Sequence, residues 1–494
     1  MSGVLERFAP LFNPRGIIVT GVSAHPGKFG TVTFHNLLSR GYEGGIFPIN
    51  REGLESFGHP TLKSISEVPK GRADLAFICT PVSVNEDLLR ECAAVGVRAA
   101  FVASAGYGES QDGLEAERSL VALGEELGMV IAGPNGQGLI STPVSMCAQI
   151  VAPYPPAGPI SIVSQSGNLV SSYMNYACLS GIGVSKAISC GNSAQLELAD
   201  YLEYFAEDPE TSVSLCYLEG VEDGRRFLEV ARAHSARKPL VVMRGGVTRA
   251  GKSAASSHTG ALASDDRIFS GVCRQAGIAR AETIEEAYDA AASFASQPLP
   301  KGRRTLLFTV AGGWGVLTAD ACVRAGLDLI PLPDDLRSKI DGMVPSRWSR
   351  SNPIDLAGGE TRDTIPEVLE LMASHPDVDA IIYLGIGIQA AQAQMFRSGP
   401  FWPDHGLDRI GGFHETQDRR YALAAAEASE RNCVPILVAS DLVYTDRDYG
   451  NPGPLGVRES GRLCYPSGHR AVRALSHMVR YSEHLQRSGG AARC

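Results

Sequence analysis

The 494-residue chain has no uninterrupted apolar run near the ~18 residues that a membrane-spanning helix needs, so a membrane partner is not expected. It has no basic excess either. Its 45 Lys and Arg against 54 Asp and Glu leave a formal net charge of −9, and a nucleic-acid surface needs a dense basic face. Its 11 cysteines form no C-x-x-C pair and no zinc-like cluster, so no metal site is expected. The apolar surroundings of Cys79, Cys216 and Cys322 fit buried free thiols in a reducing compartment. The start, Met1-Ser-Gly-Val-Leu-Glu-Arg-Phe8, lacks a basic-then-apolar leader pattern. These absences together point to the cytoplasm. A small polyanionic ligand stays open, since its site needs only a few cations and backbone amides.

What the chain has is a repeated grammar: a short β-branched run, a Gly-rich turn, then a helical pattern. The first block has runs at 16–20, 46–49, 75–79, 99–103 and 129–132, with helices expected over 84–94 and 115–127. The Pro-rich stretch 153–159 opens a second block, with runs at 160–163, 184–189, 213–218 and 240–243 and helices near 195–206, 224–236 and 284–295. A second linker, 297–302, precedes strands at 305–309, 380–384 and 436–439 and a helix near 468–483. The stretch 397–412, rich in Gly, Pro and aromatics, is expected to be a long surface loop. Strand–helix alternation predicts parallel sheets covered on both faces, an α/β fold, with ligands at the carboxyl ends of the strands. The expected domains are 1–152, 153–300 and 301–494.

Four strand-end turns carry chemistry. Gly21, Gly27 and Gly30 follow the first strand and open a helix, whose amides can face a phosphate. Their G-x5-G-x2-G spacing departs from a dinucleotide fingerprint, and Asn50 stands where an acid would hold a ribose, which argues against a nicotinamide enzyme. Ser164-Gln165-Ser166-Gly167 forms a second strand–turn–helix. It reads as an anion nest, or as a helix N-cap by Ser166 needing no ligand. Ala311-Gly312-Gly313-Trp314-Gly315 repeats the design in the third block. Glu219 ends an apolar strand just before Gly220. One more feature stands out: His258 lies alone among small residues in Ala255-Ser-Ser-His-Thr-Gly260, which leaves room for a bulky group on the ring. Glu219 could accept a hydrogen bond from one ring nitrogen and leave the other as nucleophile.

At these residues the sequence resembles the α subunit of the ADP-forming acyl-CoA synthetases of the acetate–CoA ligase type, relatives of succinyl-CoA synthetase. The matching motifs are Gly21-Val22-Ser23, Ser104-Ala-Gly-Tyr-Gly-Glu109, Gly133-Pro134-Asn135, Ser164–Gly167, Gly191-Asn192, Leu218–Val221, Ser256–Gly260, Gly312–Asp320 and Asn352-Pro-Ile-Asp355. The resemblance implies a Rossmann-like CoA-binding domain followed by two flavodoxin-like, doubly wound ligase domains. It implies that ATP phosphorylates His258, that the phosphoryl group passes to a carboxylic acid to give an acyl phosphate, and that the thiol of coenzyme A then displaces phosphate. Glu219 would orient the phosphorylated ring. Ser164, Gln165, Ser166 and Gly167 would hold the phosphoryl group near the acyl site, and Gly312, Gly313 and Gly315 near the nucleotide. By position, Gly21, Ser23, Lys28, Asn50, Pro81, Val82, Ser104 and Ala105 resemble the CoA-binding set. Asn135, with Gly191 and Asn192, falls where the acyl substrate is expected.

No segment resembles the ATP-grasp module that the family needs for ATP/ADP with Mg, so a separate β subunit is expected, in an α2β2 assembly. The sequence also departs from the family's pattern. Trp314 replaces a small residue or proline, Gly136-Gln137 follows Asn135 where a Cys and a small or apolar residue are common, and Gln195 stands where an acid is frequent. These changes border the expected acyl pocket. The region 385–418 departs most, and His414-Glu415 begins no H-E-x-x-H because position 418 is Asp. The competing reading is a non-catalytic CoA- or acyl-CoA-binding regulatory protein.

Overall fold

The computed structural model describes residues 3–109, 113–253, 265–358, 361–444 and 450–489. Three sheets organise them. The first is wholly parallel, in the order β2 (Gly45–Pro48), β1 (Gly16–Val19), β5 (Leu75–Ile78), β6 (Ala99–Val102), β7 (Val130–Ala132). A two-stranded ribbon, β3 (Glu55–Ser56) with β4 (His59–Pro60), hangs from it. The second has a parallel body: β14 (Ala279–Ala281), β13 (Leu240–Arg244), β12 (Val213–Leu218), β10 (Ala157–Ser164), β11 (Val184–Ser189). It is extended beyond β11 by the antiparallel strands β8 (Gly138–Ser141) and β9 (Met146–Gln149). The third is parallel: β16 (Asp328–Leu329), β15 (Arg304–Thr309), β18 (Ala380–Leu384), β19 (Ile436–Ala439), β20 (Cys464–Tyr465), with β17 (Ile354–Asp355) also on β15.

Renumbered within each parallel set, and setting aside the two-residue β17, all three sheets have the strand order 2-1-3-4-5. In that order the crossovers reverse direction between strands 1 and 3, which opens a crevice at their carboxyl ends. The three crevices fall at β1/β5, β10/β12 and β15/β18. Most strands are buried on both faces and are built from apolar, β-branched runs such as Ile17-Ile18-Val19 and Leu240-Val241-Val242.

The chain forms two compact units, one of Met1–Leu179 with Gly183–Ala287, the other of Ser180–Ile182 with Tyr288–Cys494. Within the first, the helix Gly3–Phe12 binds two sheets into one core. Phe8 and Phe12 are fully buried and stack on Tyr204 at 5.0 and 5.1 Å, and Arg7 pairs with Asp200 at 3.0 Å. The unit's apolar core runs from Ile17 and Phe77 of the first sheet to Cys216 and Val242 of the second.

The border expected at residue 152 lies beyond β8 and β9, which join the second sheet through β11. One sequence expectation needs correction. The expected loop 397–412 is shorter: helices Ile388–Arg397 and Leu407–Asn432 leave only 398–406 between them. Arg397 stacks over Trp402 at 5.1 Å and pairs with Glu415 at 2.8 Å, and Gly411 lets Trp402 lie close against the second helix.

Candidate active site

At the first crevice Gly21 turns the chain out of β1 with φ +70°, where a Cβ would lie 2.8 Å from the Cys79 carbonyl oxygen. Gly30 approaches closer still, since a Cβ there would sit 2.3 Å from the Thr20 carbonyl oxygen. These two contacts bring the N-terminus of the helix Phe29–Ser39 against the end of β1, with Lys28 at its N-cap and no side-chain cap. The helix Val82–Ala94 starts at Pro81, also without one. Both ends leave backbone N–H groups open to an anion. Ser23 Oγ accepts from the N–H of His25 at 3.0 Å. Asn50 is engaged within the same loops, donating to the Val22 carbonyl at 2.6 Å and accepting from the N–H of Glu52 at 2.8 Å. Ser104 meets the buried Asn85 amide at 3.1 Å, and Ala105 beside it is exposed. Burial pushes the adjacent Cys79 thiol up to about 12, so this edge carries no ready thiolate.

The chain leaves the first sheet at the end of β7 and enters the second at the start of β8. Because β8 runs antiparallel to β11, both points lie at carboxyl edges, and the five residues Gly133–Gln137 bridge them. Asn135, at φ +61°, donates its N–H to the Ser104 carbonyl at 3.0 Å and its Nδ2 to Asn192 Oδ1 at 3.3 Å. Gly191, at φ +56°, is required beneath it: a Cβ would lie 2.0 Å from the Pro134 carbonyl oxygen. Asn192 Nδ2 donates to Glu109 at 3.1 Å and Glu117 at 2.7 Å. Those carboxylates also accept from the N–H groups of Gly106, Tyr107 and Gly108. The structure thus gathers Ser104, Asn135, Gly191 and Asn192, and adds two acids that sequence reasoning missed. Glu109 ends a quoted motif, whereas Glu117 lies in the helix Leu114–Leu127 with no signal of its own.

At the second crevice Ser164 ends β10. Its hydroxyl accepts from the N–H of Ser166 at 3.1 Å and donates to the Ser166 carbonyl at 2.7 Å, closing a tight turn before the helix Gly167–Ser180. Gln165 reaches across to the end of β12. Its Oε1 accepts from the N–H groups of Glu219 at 2.6 Å and Gly220 at 3.3 Å, and its Nε2 donates to the Gly220 carbonyl at 3.2 Å. Glu219 is 6% exposed and accepts from the Tyr217 hydroxyl at 3.1 Å. Burial, and then the Glu219 charge, push the Tyr217 phenol well above its ordinary range, so it stays a donor. Gly245, just past β13, packs on this pair; a Cβ there would lie 2.4 Å from the Tyr217 hydroxyl oxygen. His258, further along the same connection, lies outside the described residues.

The third crevice repeats the second. Thr309 ends β15, accepting from the N–H of Ala311 and donating to its carbonyl, both at 2.9 Å. The helix Gly312–Ala325 follows with no side-chain cap. Gly313 is exposed with open space around it, Gly315 is buried, and Trp314 is half-buried. Gly312 faces Asp355, whose Oδ2 would lie 2.5 Å from a Cβ at that position.

Known proteins supply the context for this geometry. Residues 15–141 match the CoA binding domain, 157–294 the succinyl-CoA ligase like flavodoxin domain and 305–390 the ligase-CoA domain. The α subunit of acetate–CoA ligase [ADP-forming] I from Pyrococcus furiosus is 38% identical over 76% of this chain and 82% of its own length. The chain belongs to the ADP-forming acyl-CoA synthetase family. The 4-hydroxybutyrate–CoA ligase [ADP-forming] of Nitrosopumilus maritimus is 31% identical over 98% of the chain but only 65% of its own length. An acetyl-coenzyme A synthetase 1 from Candidatus Korarchaeum cryptofilum, solved with phosphate and ADP, superposes with a TM-score of 0.83 at 30% identity, covering 97% of this chain and 98% of its own.

Against the pattern of these synthetases, two side chains have structural duties that spacing did not reveal. Gln165 spends both ends of its amide on the Glu219 turn. Gln195, one of the departures near the expected acyl pocket, instead extends the β7 edge, accepting from the N–H of Ile131 at 2.6 Å and donating to the Met129 carbonyl at 3.2 Å.

Proposed function

We propose that this synthetase chain works as an α-type subunit that makes acyl-CoA from a carboxylic acid, coenzyme A and ATP, with a separate β-type partner supplying most of the nucleotide site. The γ-phosphoryl group of ATP moves to a ring nitrogen of His258, releasing ADP. A carboxylate oxygen then attacks phosphorus, breaking the N–P bond and forming an acyl phosphate. The thiol of CoA attacks the acyl carbon and phosphate leaves. Phosphorylation turns a poor electrophile into one with a good leaving group, and the remaining work is positioning and charge stabilisation.

The observation that carries this reading is the shared turn at Ser164 and Thr309. Each ends strand 1 of a 2-1-3-4-5 sheet, closes the same hydroxyl bridge and presents a helix N-terminus. Two equivalent anion cradles suit a group that is received at one and delivered at the other. Glu219 is buried and hydrogen-bonded by Tyr217, and its carboxylate would serve as the acceptor for the second ring nitrogen of His258. Asn135 bridges the CoA edge and the phosphoryl edge, where the acyl carbon must sit. The α-subunit name of the Pyrococcus relative supports a partner chain.

The test is phosphoryl labelling from γ-labelled ATP with the chain purified alongside its native-host partner. Label on wild type and none on His258→Ala, with CoA binding retained and acyl-CoA formation lost, is the expected result. Acyl-CoA formation by His258→Ala would overturn the phosphohistidine route. CoA binding without labelling by any preparation would favour a regulatory binding protein, and full-rate labelling by the lone chain would remove the partner.

A further inference from the structure

The side-chain amide of Asn192 is held in one orientation. Its Nδ2 carries two hydrogens, and both go to acids: Glu117 Oε2 at 2.7 Å and Glu109 Oε1 at 3.1 Å. Its Oδ1 is therefore turned to the other side, where Asn135 Nδ2 donates to it at 3.3 Å. The acids are fixed in turn, because Glu109 Oε2 accepts from the N–H groups of Gly106 and Tyr107, and Glu117 Oε2 from that of Gly108. Gly108 also leaves Glu117 its place, since a Cβ there would lie 2.4 Å from Glu117 Oε1.

Backbone bonds seat both asparagines: the N–H of Asn192 donates to the Pro134 carbonyl and that of Asn135 to the Ser104 carbonyl, each at 3.0 Å. Turned the other way, the Asn135 amide would set oxygen against oxygen at Asn192. The two acids thus decide, through Asn192, which way Asn135 faces. Asn135 is exposed, and its amide has no other partner among the described residues, so one of its Nδ2 hydrogens stays open. Asn192 has no amide hydrogen left to give.

We infer that Asn192, backed by Glu109 and Glu117, is a positioning residue that holds the open N–H of Asn135 toward the acyl group, and that Asn135 alone of the two touches substrate. The inference rests on the acyl-phosphate route above, with Asn135 beside the acyl carbon. On that route one carboxylate oxygen attacks phosphorus as the N–P bond of His258 breaks, and the other oxygen becomes the carbonyl oxygen of the acyl phosphate. Negative charge returns to this second oxygen when the thiol of CoA adds, and it is lost when phosphate departs with the thiol proton. One N–H held in place serves both steps, since a donor already aimed at developing charge needs no reorganisation. Phosphorylation of His258 by ATP uses none of these groups.

The experiment separates these steps, using the chain together with its partner. His258 is labelled from γ-labelled ATP, nucleotide is removed, and loss of the label is timed with acid alone, using whichever of a panel of short and aryl carboxylic acids discharges wild type fastest. Glu117→Leu and Asn192→Leu should take up label at the wild-type rate, which reports that they fold and assemble, yet discharge about 10- to 100-fold more slowly, the range that a misplaced group costs. Glu117→Gln keeps an acceptor for Asn192 and should stay near wild type. The double leucine variant should lose no more than either single one, since both act through Asn135. Unchanged discharge in the leucine variants overturns the inference, as does slowed labelling, which would indicate a general structural role. Glu117→Gln as slow as Glu117→Leu also overturns it, by assigning the effect to the charge of the acid. A wild type that takes up no label, or whose label no acid discharges, instead removes the proposed function, and this inference with it.

Discussion

Gln165 and Glu219 show how one side chain can set another. The Glu219 carboxylate is aimed by its own backbone, and both N–H groups of that turn end on Gln165 Oε1. Gln165 is therefore a positioning residue. Gln165→Leu leaves two N–H groups without their acceptor, a loss of about 1–3 kcal/mol. If it falls on the labelling step, the rate of His258 phosphorylation drops about 10- to 100-fold at 1.36 kcal/mol per decade. CoA affinity, set at the other edge of the unit, should not move; loss of both together would indicate a general structural role. The amide's duty was not legible in the sequence, where Ser-Gln-Ser-Gly reads as a single anion motif, because its partners lie more than 50 residues away. The bonds of Asn50 were hidden in the same way: it stands at the strand end as expected, with its polar atoms engaged within the loop.

Helix starts are the elements on which the site is built, and two neighbouring glycines separate structural from functional need. Gly312 cannot carry a Cβ without displacing Asp355, whereas Gly313 meets nothing. Glycine within a helix costs up to about 1 kcal/mol relative to alanine, so nothing in the fold asks for one at Gly313. Gly313→Ala should raise the unfolding free energy by up to about 1 kcal/mol, less for a position in the first turn, and lower acyl-CoA formation at least tenfold. Gly312→Ala should lower the thermal midpoint. Unchanged turnover in Gly313→Ala would mean that no anion approaches this helix.

The strands that frame these starts were readable from the sequence because parallel, doubly buried strands are mostly apolar runs; Val213–Leu218, Ala380–Leu384 and Ile436–Ala439 match their expected bounds, as does Val184–Ser189 despite its buried Lys186. The antiparallel hairpin was not readable, since Gly138–Ser141 and Met146–Gln149 are short and join the sheet through the pairing of β8 with β11, whose partners run from Ser141 with Lys186 to Gly138 with Ser189. The start of the helix Leu407–Asn432 was hidden by Gly411 and Gly412, of which Gly411 accommodates Trp402.

For the molecule as a whole, stability should depend on pH through a histidine remote from the chemistry. His234 is fully buried, its Nδ1 lies 2.9 Å from the Leu202 carbonyl, and burial lowers its pKa from 6.5 to about 4. The fold holds it neutral while the unfolded chain protonates it below 6.5. The unfolded state thus binds the extra proton between pH 6.5 and 4, and stability falls across that window as pH drops, then levels off. The contribution is about 3 kcal/mol at 1.36 kcal/mol per pH unit. Chemical denaturation of wild type and His234→Gln at pH 7, 5.5 and 4 checks it: the variant should show the flatter profile, and parallel profiles would place the pH sensitivity elsewhere.

The hydroxyls of Ser164 and Thr309 are both consumed by their own turns. Whatever settles at either place is therefore gripped largely by peptide amides, which respond to tetrahedral shape and negative charge and not to chemical identity. Such a grip is the same whether the guest arrives on imidazole, on a carboxylate or as free inorganic phosphate. On the proposed route such a grip would not by itself choose among them, and the direction of transfer would be left to the supply of thioester, nucleotide and acid.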